Sequence, residues 1–186
     1  MAFIIERINN MSPWQPTAPN ISPVPQVSQS IILGIHSNVL GGDTFSSGHA
    51  WISVTRNGIS TNYGLWPDFH SKTIDNGPET DIRIGLENNA NRAASRYYQL
   101  SPEQSKKLET LLQRNVTWGH TNNCSSWASD LVYEIVNEDV DADDNMGIET
   151  PRELGRNIIL LEAKDPTSLH IPKALGKKHA QSSSSK

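Results

Sequence analysis

The chain has 186 residues, enough for one folded unit with a sizeable core and too few for two full domains. Hydrophobic residues make up 35%, mean hydropathy is -0.50, and no apolar run approaches the ~20 residues of a membrane-spanning helix. With 20 acidic and 16 basic residues the net charge is -4, which argues against nucleic acid as a partner, because such binding rests on neutralised phosphates.

The opening "MAFIIERINNMSPW" carries an acidic residue and only a short apolar patch, so we expect no signal peptide and synthesis in a cytoplasm. Residues 12–30, "SPWQPTAPNISPVPQVSQS", hold five prolines and almost no periodicity. Residues 1–29 therefore read as a proline-rich arm, 30–172 as the folded domain, and 173–186, ending "HAQSSSSK", as a disordered tail.

Inside the domain "SIILGIHSNV" reads as a strand. "HAWISVTRNGISTNYGLWP" places β-rich segments on both sides of Asn57-Gly58, two residues that tolerate positive φ, and so predicts a hairpin pairing Ser53 with Asn62. "DIRIGLE" is a third strand candidate. "SPEQSKKLETLLQRNV" predicts a helix with Ser101 as N-cap, Pro102 at the first position, Gln104 at capping-box spacing and Leu108, Leu111 and Leu112 as its buried stripe. From Cys124 to Asn137 the spacing of Ala128, Leu131, Val132 and Ile135 predicts a second helix. Thr150, Pro151 and Glu153 predict the start of a short third one. The expected class is α+β, a central antiparallel sheet with flanking helices.

Cys124 is the one cysteine in the chain, so no internal disulfide forms. A free cysteine is commonly a small buried hydrophobe. This one follows Thr121, Asn122 and Asn123, all competent N-caps, and so falls in the first turn of a helix. Unpaired amide groups and the helix dipole there favour a thiolate, the reactive form of the side chain. A nucleophile needs a base. Among six histidines, His49 stands out because it follows Gly48 and opens the predicted hairpin, where a strand could carry its ring to a helix start.

Glycine–histidine opening a hairpin and, much later, Asn-Cys opening a helix resemble the circularly permuted NlpC-type branch of the papain-like cysteine hydrolases. Relatives of lecithin:retinol acyltransferase share the same His-before-Cys order. The stretches "SGHAWISVTRNGISTNYG", "NNCSSWASDLV", "YGLWPD" and "ETPRELG" look most like the TseH-like group of type VI secretion effectors. The resemblance covers roughly residues 30–160. It implies a papain-like fold in which Cys124 attacks a carbonyl carbon and His49 carries the proton. It also implies a polar residue that orients the imidazole, at the position of Asn62, with Tyr63, Asp68 and His70 as substitutes. The Cys124 N–H would serve an oxyanion hole.

The function so implied is an amidase or endopeptidase cutting peptidoglycan stem peptides, an antibacterial toxin made in a bacterial cytoplasm and acting in a rival's periplasm. Its expected partners are a peptidoglycan or peptide substrate, an immunity protein and a type VI delivery component. The alternatives are a protease, deamidase or acyltransferase acting on a protein or lipid, and a binding module with a buried cysteine.

Trp51, Trp66 and Trp127 are candidates to line a substrate groove, Trp51 first because it lies two residues after His49 on the same strand face. The acidic run "NEDVDADDN" lacks the glycine and terminal glutamate of a calcium-binding loop and reads as solvated. A zinc site from His49, His120 and Cys124 lacks close-spaced ligand pairs. We therefore expect no metal and no cofactor.

Overall fold

A computed structural model describes residues 30–43, 47–144 and 147–174; the proline-rich arm over 1–29 and the serine-rich end beyond 174 lie outside the described residues. The first apolar run forms β1 (Ile31–Ser37), with Leu33 and Ile35 in the main core and His36 on the other face. Asn57 and Gly58 take φ of 52° and 78°, so the chain reverses in two residues. This turn joins β2 (Ala50–Arg56) to β3 (Ile59–Leu65) in the expected register, with Ser53 opposite Asn62. "DIRIGLE" contributes only the short β4 (Ile82–Ile84).

The fifth strand, β5 (Ala94–Leu100), has no counterpart among the expected elements, although it pairs with β1 along its whole length. Its inward positions read Ala94, Arg96, Tyr98 and Leu100, and the arginine masks the apolar alternation. Arg96 is 1% exposed and is held by Glu138 at 2.9 Å and Glu162 at 2.7 Å, with Asp165 at 3.4 Å. A charge can be buried there because carboxylates from outside the strand surround it.

The helices are α1 (Pro102–Leu112), α2 (Cys124–Val136) and α3 (Pro151–Lys164). Ser101 and Gln104 form the expected capping box; Leu108 and Leu111 are buried, whereas Leu112 packs only partly against the core. The third helix is longer than expected, at 14 residues, because Leu154, Ile158 and Leu161 carry its apolar stripe onward against β1 and β5.

Lys173 and Ala174, placed in the tail by composition, form β6 and pair in parallel with β5. The sheet order is β4-β3-β2-β1-β5-β6, so the sheet is mixed rather than wholly antiparallel. The class is α+β. All three helices cover the face bearing Leu33, Ile35, Ile52, Val54 and Tyr98. The opposite face carries a buried polar and aromatic layer that includes His36, Trp51, Ser53 and Asn62.

Candidate active site

Cys124 is the first residue of α2, and Asn123 is its N-cap. The Asn123 side chain accepts from the N–H groups of Ser125 and Ser126, while Ser126 Oγ accepts from the Asn123 N–H at 2.8 Å. Such a cap contributes about 1 kcal/mol to helix stability. The Cys124 N–H is not among those the cap uses. The loop leading into α2 is itself anchored, since the buried Asp81 carboxylate accepts from the Trp118 N–H at 2.7 Å.

His49 enters β2 from Gly48, whose φ of +101° is a left-handed conformation that favours glycine. A Cβ at Gly48 would also lie 2.3 Å from the Val39 side chain. The His49 backbone is gripped on both sides by Asn38, its N–H donating to Asn38 Oδ1 at 2.7 Å and its carbonyl accepting from the Asn38 N–H at 3.2 Å. The ring lies beside the Cys124 side chain, where each group acts on the charge of the other. Its Nε2 lies 2.9 Å from Glu87 Oε1.

Glu87 is 1% exposed, and its Oε1 also accepts from Trp66 Nε1 at 2.5 Å. The Trp66 ring lies 3.9 Å from the His49 ring, centre to centre. Gly64 makes this packing possible. A Cβ there would sit 2.0 Å from Glu87 Oε1 and 2.8 Å from both His49 Nε2 and Trp66 Nε1. The backbone of β3 thus forms one wall of the carboxylate–imidazole contact.

Burial by itself lowers an imidazole, but the hydrogen bonds and charges of Cys124 and Glu87 overcome it and raise His49 to about 9. Burial likewise pushes the Cys124 thiol up. The hydrogen bond and positive charge of His49, with the Ala50 backbone, outweigh that effect and hold the thiol below its ordinary value. Each group stabilises the charged form of the other, so the pair favours thiolate and imidazolium.

The cysteine is half-buried and opens on a cleft of about 270 Å³ lined by Gly48, Trp118, His120, Ile148 and Glu149, among others. None of the three tryptophans expected to line a groove borders this cleft; Trp127 instead borders a separate hollow of about 170 Å³ with Leu111, Val116 and Asp130. Trp51 has no exposed surface and stacks at 6.0 Å and 11° on His49, because its strand position points into the buried polar layer. Trp66 is 8% exposed and its indole is committed to Glu87. Trp127 is 6% exposed and anchors α2 in the main core. Among the described residues, Trp118 is the tryptophan that lines the cleft.

Asn62 does not orient His49. It is buried, donates to Asn88 Oδ1 at 3.0 Å and accepts from Arg92 at 3.3 Å. The regular two-residue turn keeps Asn62 opposite Ser53 and away from the strand end that bears His49. Tyr63 pairs with Ile52, Asp68 is salt-bridged to Arg83, and His70 packs edge-on against Trp66 at 4.5 Å. Glu87 holds the orienting position. It lies in a turn beyond β4, where nothing in local spacing distinguishes it from a solvated carboxylate.

Among the described residues no group of three or more His, Cys, Asp or Glu side chains is arranged to hold a metal ion. No helix among them is long and apolar enough to cross a membrane. No protein-family model, no curated protein and no solved structure matches this chain.

Proposed function

We propose that this protein is a cysteine hydrolase of papain-like fold, an amidase or endopeptidase in which Cys124 is the nucleophile, His49 the general base and acid, and Glu87 the residue that orients His49. The observation that carries the proposal is the continuous contact from a thiol on a helix start, through an imidazole, to a buried carboxylate, with the thiol open to a cleft. A merely structural cysteine has no need of a charged partner, and the cleft speaks against an inert core thiol.

The chemistry follows from the geometry. The Cys124 thiolate attacks the carbonyl carbon of an amide, and the negative charge that develops on oxygen faces the free N–H at the start of α2. The His49 imidazolium gives its proton to the departing amine, leaving a thioester on Cys124. Neutral His49 then takes a proton from water, hydroxide character attacks the thioester, and the acid leaves as the thiol sulfur is released. Throughout, Glu87 keeps the ring in one orientation and favours its charged form.

The substrate we propose is the amide bonds of peptidoglycan stem peptides. The setting is that of an antibacterial type VI secretion effector, made in a bacterial cytoplasm and acting in a target cell's periplasm. A delivery component and an immunity protein that plugs the cleft are the corresponding partners. These assignments rest on the sequence resemblance around His49 and Cys124. Digestion of purified peptidoglycan, with the released muropeptides identified by mass, tests them. Wild type should yield new amine and carboxyl ends and Cys124→Ala should lose at least about 10³-fold in rate. Identical products from both would sink the proposal.

A further inference from the structure

The cleft beside Cys124 has a charge character that hydrolysis alone does not require. Among the described residues no lysine or arginine lines it, and Glu149 is the carboxylate that does. Glu149 is fixed between two helix starts. Its carbonyl accepts from the Nδ2 of Asn123, the cap of α2, at 2.8 Å, and the next residue, Thr150, caps α3. The side chain is half-buried, and the residue bridges to Asp143 across the 141–150 loop. Asp141, Asp143 and Asp144 of that loop belong to the acidic run read above as solvated.

Partial burial and, next, the charge of Asp130 raise the Glu149 carboxyl to about 6, with Asp143 and Asp141 adding to the effect and a hydrogen bond from Ser126 opposing it. No cation enters that balance. The other titratable groups that line the cleft among the described residues are His120 and Cys124, the partner of His49. A carboxylate held in such negative surroundings is stabilised by an incoming positive group. Trp118, in the same cleft, offers a ring face that such a group can also contact.

We propose that the cleft contains a subsite for a substrate ammonium group, with Glu149 as its counter-charge, so that the hydrolase prefers amides whose neighbouring residue bears a free amine. This inference rests on the reading of Cys124 as an accessible nucleophile.

Charged thiol reagents test it without a known substrate. Trimethylammonioethyl and sulfonatoethyl methanethiosulfonate carry opposite charges, and each converts the Cys124 thiolate to a mixed disulfide with methanesulfinate leaving. The ratio of their rates on the full chain reports the potential at the cleft and cancels changes in intrinsic thiol reactivity. Wild type should favour the cationic reagent. Glu149→Gln and Glu149→Ala should each lower the cation-to-anion ratio about fivefold or more. Glu109→Gln on α1, which removes the same charge at an exposed, distant position, should leave it unchanged. An unaltered ratio in both Glu149 variants, or an equal fall in Glu109→Gln, overturns the subsite while leaving the nucleophile intact. Failure of both reagents to modify Cys124 overturns the nucleophile and the subsite together.

Discussion

His36 and His49 lie on the same side of the sheet, the first fully buried and the second 12% exposed, and both are near Trp51, at 5.4 Å and 6.0 Å between rings. Their partners differ in kind. His36 has a hydroxyl on each nitrogen, Ser95 Oγ and Ser53 Oγ, each at 2.8 Å. Neither hydroxyl compensates a positive charge, so burial, with Arg92 adding to it, holds His36 well below the ordinary histidine range. His49 faces a thiol and a carboxylate, two potential anions, and is raised to about 9. Burial alone therefore does not decide the charge of a histidine. The acidity of its hydrogen-bond partners does, and one sheet face holds side by side an imidazole whose pKa is lowered and one whose pKa is raised.

Removing the carboxylate should break the contrast most severely. Glu87→Gln leaves an acceptor for His49 Nε2 but no charge, so His49 should titrate well below 9 and hydrolysis should fall about 10²-fold. The pH–rate profile reads this directly. In wild type, activity should decline as pH rises through about 9, where the imidazolium loses its proton, and in the variant that alkaline limb should move down. The stability linkage has the same sign. Because the folded pKa of His49 is raised, its contribution is complete below ~6.5 and disappears as pH climbs through 9. An unchanged alkaline limb would remove Glu87 from the orienting role.

Gly64→Ala should come next. The added Cβ cannot coexist with Glu87 Oε1 at 2.0 Å, so either the carboxylate or β3 must shift. We expect about a tenfold loss of activity with a destabilisation of about 1–3 kcal/mol, read by hydrolysis rate and urea denaturation. Full activity in this variant would mean that the His49–Glu87 contact tolerates displacement.

The converse substitution is His36→Leu. It leaves two buried hydroxyls without their partner and should cost about 2–4 kcal/mol while changing hydrolysis little. Wild type should also lose stability as pH falls below ~6.5, because the unfolded chain takes up a proton that folded His36 refuses. Denaturation midpoints at neutral and mildly acid pH should converge in the variant. If wild type is equally stable at both, His36 is not held neutral.

Asn62→Ala should have the smallest catalytic effect, less than about threefold in rate, since its bonds go to Asn88 and Arg92 rather than to His49. A loss matching that of Glu87→Gln would restore Asn62 to the orienting role and displace Glu87.

Much of the fold was written locally. The two-residue turn at Asn57-Gly58, the capping box at Ser101, and the placement of Cys124 directly after a cap depend on the sterics and hydrogen bonding of a few adjacent residues, and such signals survive without tertiary context. So does the apolar stripe of α2. β5 was not legible, because Arg96 at an inward position becomes tolerable only when Glu138, Glu162 and Asp165 arrive from elsewhere in the chain.

The sequence by itself determined where a reactive thiol could lie and which histidine opened a strand. Tertiary structure alone decided what completes the set. Glu87 stands 38 residues from His49 and reaches it only because β3 carries a side-chain-free position at Gly64. Trp51 and Trp66, which looked available for a groove, were consumed by packing, Trp127 borders a separate hollow, and Trp118 with Glu149 came to the cleft instead. The physical reason is one of range. Turns and caps are settled within about four residues, whereas which carboxylate meets a buried imidazole depends on how the strands align and on what their close packing leaves room for.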